Sequence, residues 1–596
     1  MEFVEYKNIH AMLKQTVDEK PEKTAYKWYN GDGEQDSVNW TEFYKQVRTV
    51  SKSLMALGVN KGDKVNIISY SCFRWVLSDL GISTCGGVTV GVYQSNLAKD
   101  CQYIINHSEA VVIFAEDDVQ LKKLLEIKDQ IPNVKKVVLF NGSHNDDWVL
   151  TYEEFMALSE KDSEKALDDV IAGTTPEDMA AIVYTSGTTG VPKGGVLTHD
   201  NLTFTSQSVK GCTSILDNDE TFLFLPLAHI FARTSVYSAI LAASPLTFAS
   251  SIETVVDDIA AAKPHWFASV PRIYEKIYGK VIAGAESKGG AALKIFKWSM
   301  AVGEQVVDLR LAKKPIPFML GLKYSLATKL VFSKVQAALG GRVRWCISGA
   351  APINATVERF FHAAGITVVE GLGMTENTSF SHLNRYDNCR IGWVGQPGPG
   401  VEQKVAADGE VMIRGRNVMR EYYKMPEETA KNITKDGWLL TGDIGEIDGE
   451  NFLKITDRKK DLIITAGGKN IAPSAIEGVL ATSKYINQVC VIGDKRKFLS
   501  ALITLEPDTI MEYAHEQNIQ YTELNDLLRE EKITQLIERE IAEKNTEFAS
   551  FESVKQISIV PEFTIENSLM TPSMKLKKNV IMKTFEETID GMYPKD

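Results

Sequence analysis

Apolar residues recur along the chain at two spacings, one typical of helices and one typical of strands. Helical spacing joins Phe43, Val47, Val50 and Leu54, and Gly58 follows as a typical helix end. Short runs rich in β-branched residues predict strands at residues 64–69, 110–115 and 136–140. Because such short runs alternate with longer helical stretches, the pattern favours an α/β fold.

Three further predicted strands each run into a loop of small residues. The strand at 181–184 precedes the loop 185–190, and the strand at 343–347 precedes the loop 348–352. The third, at 366–369, leads into residues 370–376. Open α/β sheets build ligand sites at the carboxyl ends of their strands, so we expect these loops to form one site.

The pattern changes near residue 456. Residues 410–414 predict a strand, and Asp448 with Gly449 predicts a tight turn between two more. The all-polar segment 456–461 has no apolar anchor, which predicts a linker. We therefore expect a large domain over 1–456, a hinge over 457–461 and a small C-terminal domain over 462–596.

The C-terminal domain is expected to be α+β. Strands are predicted at 488–492 and 500–505, and the longest helix near 524–544. The expected buried stripe of that helix is Leu528, Ile533, Leu536, Ile537 and Ile541.

Composition narrows the class of protein. The 596 residues are 44% apolar with a net charge of −12, which excludes disorder as the main state and gives no support to nucleic-acid binding. No apolar run is long enough to predict a membrane-spanning helix, and the amino terminus lacks the pattern of a signal peptide. Seven scattered cysteines without a Cys-x-x-Cys pair predict reduced thiols and a cytoplasmic enzyme.

The sharpest chemical signal is the run 184–195, which reads Tyr-Thr-Ser-Gly-Thr-Thr-Gly-Val-Pro-Lys-Gly-Gly. Hydroxyls and flexible glycines can wrap phosphate oxygens closely, and Lys193 adds a positive charge. No Gly-Lys-Ser/Thr closes the loop, so it is not a Walker A loop. The predicted phosphate-binding residues are Thr185, Ser186, Gly187, Thr188, Thr189, Gly190 and Lys193.

This run resembles the phosphate-loop signature of the adenylate-forming superfamily, and five further segments resemble that family's motifs in the same order. They are residues 225–229 (Leu-Pro-Leu-Ala-His), 371–376 (Gly-Leu-Gly-Met-Thr-Glu), 438–443 (Trp-Leu-Leu-Thr-Gly-Asp), 457–461 (Asp-Arg-Lys-Lys-Asp) and 572–577 (Pro-Ser-Met-Lys-Leu-Lys). The last is similar to the variant motif of long-chain fatty acyl-CoA synthetases.

The resemblance implies a fold and a reaction. The fold would be a large N-terminal domain of α/β subdomains with a β-barrel-like subdomain, and a small mobile α+β C-terminal domain. A long-chain fatty acid would react with ATP to give acyl-AMP and pyrophosphate, and CoA would then displace AMP. Mg²⁺ would accompany the ATP phosphates.

The resemblance also implies roles for single residues. Lys575 would supply charge to the carboxylate and the α-phosphate, His229 would face the same groups, and Thr375 would hydrogen-bond the α-phosphate. Glu376 with Thr185 would hold Mg²⁺.

Further residues would hold the nucleotide or the second substrate. Asp443 would contact the ribose, and Arg458 would contact the ribose or a phosphate. Lys460 would be the hinge, and Gly467 would line the pantetheine entry. The residues expected around the adenine and phosphates are Gly349, Ala350, Ala351, Glu370, Gly371, Leu372 and Gly373.

Other features of the sequence bear on the identity of the acid substrate. An insertion around 285–340 and the segment 229–233 resemble long-chain enzymes, although Arg233 stands where some of these have a gating tryptophan. Trp266 is either a pocket aromatic or a core residue. Two alternatives stay open: an acyl-AMP ligase that loads a carrier protein, and an inactive fatty-acid-binding homologue.

The insertion also bears on partners. Residues 294–344 mix cations with apolar residues, which could touch anionic lipid at the inner membrane face or pack on the body of the protein. The sequence leaves a monomer and a homodimer equally open.

Overall fold

The computed structural model describes residues 1–30, 33–161, 163–185, 191–466, 469–571 and 575–593. The strands predicted from the sequence recur in it, with ends that differ by three residues or fewer. The strands are β1 Thr24–Tyr29, β2 Gln35–Asn39, β3 Lys64–Ile68, β4 Val88–Val92, β5 Ala110–Ala115, β6 Lys136–Leu139, β7 Val149–Thr151, β8 Met179–Thr185, β9 Lys193–Thr198, β10 Thr221–Leu223, β11 Leu246–Phe248, β12 Trp266–Ser269, β13 Trp345–Ser348, β14 Thr367–Leu372, β15 His382–Leu383, β16 Gln396–Pro397, β17 Glu402–Val405, β18 Glu410–Arg414, β19 Glu421–Tyr422, β20 Leu439–Ile447, β21 Leu453–Arg458, β22 Ile463–Ile464, β23 Asn470–Ile471, β24 Ile486–Ile492, β25 Leu499–Leu505 and β26 Val554–Ile559.

The α-helices cover both faces of the larger sheets. They are α1 Ile9–Glu19, α2 Trp40–Ala56, α3 Phe73–Thr84, α4 Ala98–Ser108, α5 Asp118–Glu126, α6 Tyr152–Ala157, α7 Glu164–Gly173, α8 His199–Cys212, α9 Ile230–Leu241, α10 Val255–Ala262, α11 Pro271–Lys288, α12 Gly290–Leu311, α13 Phe318–Ala327, α14 Ser333–Ala338, α15 Ala355–Ala363, α16 Pro426–Asn432, α17 Pro473–Leu480, α18 Pro507–Glu516, α19 Glu531–Lys544, α20 Lys578–Thr584 and α21 Glu586–Gly591.

Two mixed sheets form the body of the larger, N-terminal part. One has the order β19-β9-β8-β4-β3-β5-β6-β7, and the other has the order β16-β15-β14-β13-β12-β10-β11-β1-β2. Strands β3 to β6 run parallel and are buried on both faces, which explains their continuous Val/Ile runs. The α/β fold expected from the sequence is confirmed.

Gly91 in β4 packs closely against the turn between β10 and α9. A Cβ atom at this position would lie 2.7 Å from the Cα atom of Ala228, so a larger residue would push this turn away from β4. Ala228 directly precedes His229. The contact therefore fixes the segment that carries one of the predicted catalytic residues.

The region expected to be barrel-like is an antiparallel sheet of order β17-β18-β20-β21 in the part of the chain that the structure describes. Residues 448–452 form the predicted turn between β20 and β21, where Asp448 donates its N–H to the Phe452 carbonyl (3.0 Å). β21 includes Asp457 and Arg458, so the first two residues of the segment expected as a hinge lie in this sheet. The turn itself lies at 459–461.

The smaller, C-terminal part contains the sheet β24-β25-β26 and the hairpin β22-β23. The single helix predicted near 524–544 is wrong at its start. Leu524–Arg529 is a 3₁₀ turn, Glu530 is extended, and α19 begins at Glu531. The Asp526 carboxylate accepts the N–H groups of Thr522 and Glu523 (2.8 and 3.0 Å), which caps the short turn separately.

Candidate active site

A mainly apolar cavity lies where β13 and β14 end, beside α9. Its lining brings together His229, Gly349, Ala350 and the segment 371–373, all predicted site residues. The other lining residues are Val209, Thr213, Ile215, Phe231, Thr234, Ser235, Ser238, Trp266, Ile347, Ser379, Phe380, His382 and Leu383. Such a cavity suits an apolar chain with a polar end group.

Small residues let the cavity reach the backbone. A Cβ atom at Gly349 would lie 3.1 Å from the Phe231 ring. Ala350 takes the left-handed conformation (φ 69°), which turns the chain at the end of β13. Trp266 lines the cavity and stacks on Trp345 with ring centroids 5.2 Å apart, so it is both a pocket residue and a core residue.

His229 begins helix α9 and faces the cavity. Its Nδ1 accepts the N–H of Phe231 (3.1 Å), which places the proton of the neutral ring on Nε2. Burial, with the charge of Lys575 acting in the same direction, lowers its pKa to about 4. At neutral pH, His229 is therefore an uncharged hydrogen-bond donor.

Lys575 from the C-terminal part reaches the same region. Burial and the charge of Arg458 lower its pKa to about 8, while Asp443 and Glu376 raise it. The charges of three predicted nucleotide-site residues, Arg458, Asp443 and Glu376, therefore act on the Lys575 ammonium group. The carbonyl of Lys575 accepts the Thr571 N–H (2.8 Å), which ties the two ends of the loop together. Residues 572–574 of this motif lie outside the described residues.

Asp443 carries an unsatisfied acceptor. It lies directly opposite Arg458 across β20 and β21, and the Arg458 Nε donates to its Oδ1 (3.1 Å). The side chain is 2% exposed, and Oδ2 has no hydrogen-bond partner among the described residues. Burial raises the pKa of this carboxyl, against the influence of Arg458 and Lys575. A sugar hydroxyl would satisfy the orphaned oxygen.

Glu376 and Thr375 lie in a single 3₁₀ turn after β14. Thr375 is buried, and the Glu376 carboxylate accepts the hydroxyl proton of Tyr422. A carboxylate with one oxygen engaged and the other available fits a Mg²⁺ ligand. Thr185 ends β8 opposite Lys193 of β9, at the entry to the phosphate loop. The predicted residues Ser186, Gly187, Thr188, Thr189 and Gly190 lie outside the described residues.

Sequence reasoning missed two residues that contact Lys193 of β9, Glu428 and Tyr422. The Lys193 ammonium pairs with Glu428 of α16 and lies 5.4 Å from the centroid of the Tyr422 ring. The pairing lowers the pKa of Glu428 to about 2. The sequence carries only a weak signal for these contacts, because residues 421–428 match no helical or strand period.

Some predicted residues lie apart from the cavity. The Glu370 carboxyl is buried beside Glu358, and burial raises its pKa to about 8. Ala351 is exposed, as is Lys460 in the turn after β21. Gly467 lies outside the described residues.

Arg233 lies behind the cavity and does not line it. Arg233 is 1% exposed. Its guanidinium donates hydrogen bonds to the Asp79 carboxylate of α3 (2.6 Å) and to the Tyr237 hydroxyl (3.0 Å). The Tyr237 hydroxyl donates to the other Asp79 oxygen (2.6 Å). This buried network fixes the rotation of α9 and, with it, the cavity-facing side of that helix.

The chain matches the family of AMP-binding enzymes over residues 13–423 and their C-terminal domain over residues 460–596. It belongs to the AMP-binding enzyme family. Similar proteins include the long-chain-fatty-acid–CoA ligase FadD15 of Mycobacterium bovis, which is 32% identical over 99% of this chain and 98% of its own length. The long-chain-fatty-acid–CoA ligase ACSBG2 of Xenopus laevis is 31% identical over 98% of this chain and 83% of its own.

Solved structures agree on the fold of this AMP-binding enzyme. The adenylation domain of a carboxylate reductase from Mycobacterium chelonae matches with a TM-score of 0.77 at 19% identity, over 98% of this chain and 91% of its own. The anthranilate CoA ligase AuaEII, in complex with anthranoyl-AMP, matches with a TM-score of 0.74 at 19% identity, over 99% and 100%.

Proposed function

We propose that this protein is an AMP-forming long-chain fatty acid–CoA ligase. The observation that carries the proposal is the convergence of Lys575, from the C-terminal part, with Asp443, Glu376 and His229 beside an apolar cavity. The named relatives that match over almost the whole chain support the choice of a long-chain acid and of CoA.

ATP binds between the two parts of the chain. Asp443 accepts ribose hydroxyl protons at its free Oδ2, and Arg458 keeps that carboxylate ionised and oriented. The phosphates lie along the loop from Thr185 to Lys193. Glu376 and Thr185 would hold Mg²⁺, which would offset the charge of the phosphates.

The first half-reaction joins the acid to AMP. The fatty acid lies in the cavity, and its carboxylate oxygen attacks the α-phosphorus while the bond to the leaving pyrophosphate breaks. Negative charge grows on the α-phosphate and on the pyrophosphate. The Lys575 ammonium and the Nε2–H of neutral His229 would stabilise this charge, and Thr375 would donate a hydrogen bond to the α-phosphate.

The second half-reaction needs a different surface at the same site. We place a hinge at Lys460, between a large domain over 1–456 and a small one over 462–596. The small domain turns so that Lys575 leaves and the segment around Gly467 lines the entry of pantetheine. The CoA thiol loses its proton to solvent, its sulfur attacks the acyl carbon, and AMP leaves with the C–O bond electrons.

We also propose a cytoplasmic location with peripheral contact to the membrane. No described helix is both long enough and apolar enough to cross a bilayer. All seven cysteines are free thiols, which fits a reducing, cytoplasmic compartment. The lipid nature of the substrate supports a working position at the inner membrane face.

Two measurements test the function. Palmitate-dependent exchange of pyrophosphate into ATP is expected without CoA, and addition of CoA is expected to release AMP and palmitoyl-CoA. Exchange without thioester formation would favour loading of a carrier protein, and absence of exchange would identify an inactive fatty-acid-binding homologue. A panel of C6 to C20 acids then gives the chain-length preference.

A further inference from the structure

Helix α13 exposes large apolar side chains in a continuous stripe. Phe318 is 79% exposed, Met319 63%, Leu322 51% and Leu326 50%. At about 100° per residue, these four positions span roughly a quarter of the helix circumference. Large side chains this exposed and this close together mark an interaction surface and not ordinary surface scatter.

The opposite side of the helix is anchored in the protein. The Tyr324 hydroxyl donates to the carbonyl of Ala363 at the end of α15 (3.0 Å), and Ala327 is buried. The π-helical turn Thr328–Phe332 follows and buries Phe332. The apolar stripe therefore faces outward on a fixed helix.

Basic side chains predominate along the chain around this stripe. Residues 309–357 contain eight basic side chains and no Asp or Glu, in a chain whose net charge is −12. Five of the eight are exposed and form no ion pair with any described residue: Lys313, Lys314, Lys323, Lys329 and Lys334. On the neighbouring helix α12, the carboxylate of Asp308 is already paired with Arg359 (2.5 Å).

We propose that residues 313–334, here called the α13 surface, dock the protein onto an anionic lipid bilayer. The apolar stripe enters the acyl region, and the lysines contact the headgroups. The strongly acidic balance of the rest of the chain is repelled by the same headgroups, which fixes the orientation. This inference rests on the proposed function in one respect: a fatty acid substrate explains why binding to a lipid surface is useful.

A second copy of the chain fits this surface less well. A two-fold dimer through the α13 surface would place the same lysines against each other, and like charges across an interface cost several kcal/mol. A membrane of opposite charge satisfies both the lysines and the apolar side chains.

The test compares two matched double variants of the full chain. Phe318→Ser with Lys323→Gln changes the α13 surface. Val119→Ser with Lys122→Gln makes the same kind of change on α5, where Val119 is 63% exposed and Lys122 is exposed. Binding is measured by co-sedimentation with two kinds of vesicle. One is phosphatidylcholine alone, and the other contains about 30 mol% of the anionic lipid phosphatidylglycerol.

The original chain and the α5 variant are expected to bind the anionic vesicles. The affinity of the α13 variant is expected to be at least about tenfold lower, since the loss of one lysine alone lowers the affinity about fivefold. Raised salt is expected to weaken binding of the original chain. Equal binding by both variants would overturn the proposal. So would a loss of self-association by the α13 variant in sedimentation velocity without any vesicle binding, which would assign the surface to a second copy.

Turnover separates this outcome from a failure of the proposed function. With detergent-dispersed palmitate, both double variants are expected to match the original chain in acyl-AMP formation, because none of the four residues touches the candidate site. The vesicle result does not depend on turnover, so it stands whichever acid or acceptor the enzyme uses.

Discussion

Replacement of Lys575 by alanine separates the two half-reactions. The ammonium group lies with Asp443, Glu376 and His229 in the arrangement proposed for adenylation. We expect Lys575→Ala to abolish nearly all acyl-AMP formation. Conversion of supplied palmitoyl-AMP and CoA to palmitoyl-CoA is expected to stay close to the original rate, because Lys575 has then left the site.

The size of the effect follows from the pKa of this lysine. Its fall from 10.5 to about 8 corresponds to about 3 kcal/mol against the charged form in the protein without ATP. If the charge developing on the phosphates restores the ordinary pKa, the interaction between ammonium and phosphate recovers the same energy. Loss of that energy slows the adenylation step by about 300-fold.

The same reasoning fixes a pH dependence. The charged lysine is the active form and its pKa is lowered, so it loses its proton as the pH rises through about 8. The value of kcat/KM for adenylation, which reports the free enzyme, is expected to fall above that pH. Lys575→Arg is expected to lack this fall, because a guanidinium stays protonated.

The assay is a single turnover that follows pyrophosphate release without CoA, beside a second assay supplied with palmitoyl-AMP and CoA. Lys577→Ala serves as the matched control, since Lys577 is also half-buried and lies two residues away. Equal losses in both half-reactions, or the same loss in the control, would refute the proposed division of labour.

Three further changes test other contacts. Glu428→Gln frees Lys193 for the phosphates, so the KM for ATP should fall by about two- to threefold in initial-rate assays. The effect is modest because the ion pair is partly exposed, and an unchanged or higher KM would contradict the prediction. Arg233→Met leaves the buried Asp79 carboxylate without its cation, although the Tyr237 hydroxyl still donates to it, and should lower the free energy of unfolding by about 3–5 kcal/mol in urea titrations. The double change with Asp79→Leu should recover most of this loss, and no recovery would show that the buried ion pair is not the cause. Ser238→Leu adds bulk to the cavity and should reduce kcat/KM for C16 and C18 acids more than for C8, and a uniform reduction would place the acyl chain elsewhere.

Sequence patterns predicted the elements whose burial follows one simple period. Phe43, Val47, Val50 and Leu54 are all fully buried on α2, which Asn39 caps at its start. The prediction of a single helix near 524–544 was wrong because the Asp526 side chain caps a separate turn at the start of this segment. Side-chain capping of this kind competes with helix formation along an apolar period.

The candidate site was predictable where short motifs identify its residues, and less so where it depends on tertiary contacts. The motifs singled out Thr375, Glu376 and Asp443, whereas the 3₁₀ turn of the first two residues was not predicted. The pairing of Asp443 with Arg458 across two strands was also not predicted, because 456–461 was expected to be a linker. The contacts of Tyr422 and Glu428 with residues far along the chain have no local pattern, because they arise only when β19 pairs with β9.

The position of Asp443 and Arg458 within one sheet sets the order of events. Both lie before the turn at 459–461, so a rotation about that turn would leave their proposed contacts with the sugar unbroken. The acyl-AMP would then stay bound during the rotation, which would limit its hydrolysis. On the proposed mechanism, pyrophosphate would be released before CoA enters, AMP would depart late, and steady-state kinetics should follow a ping-pong pattern.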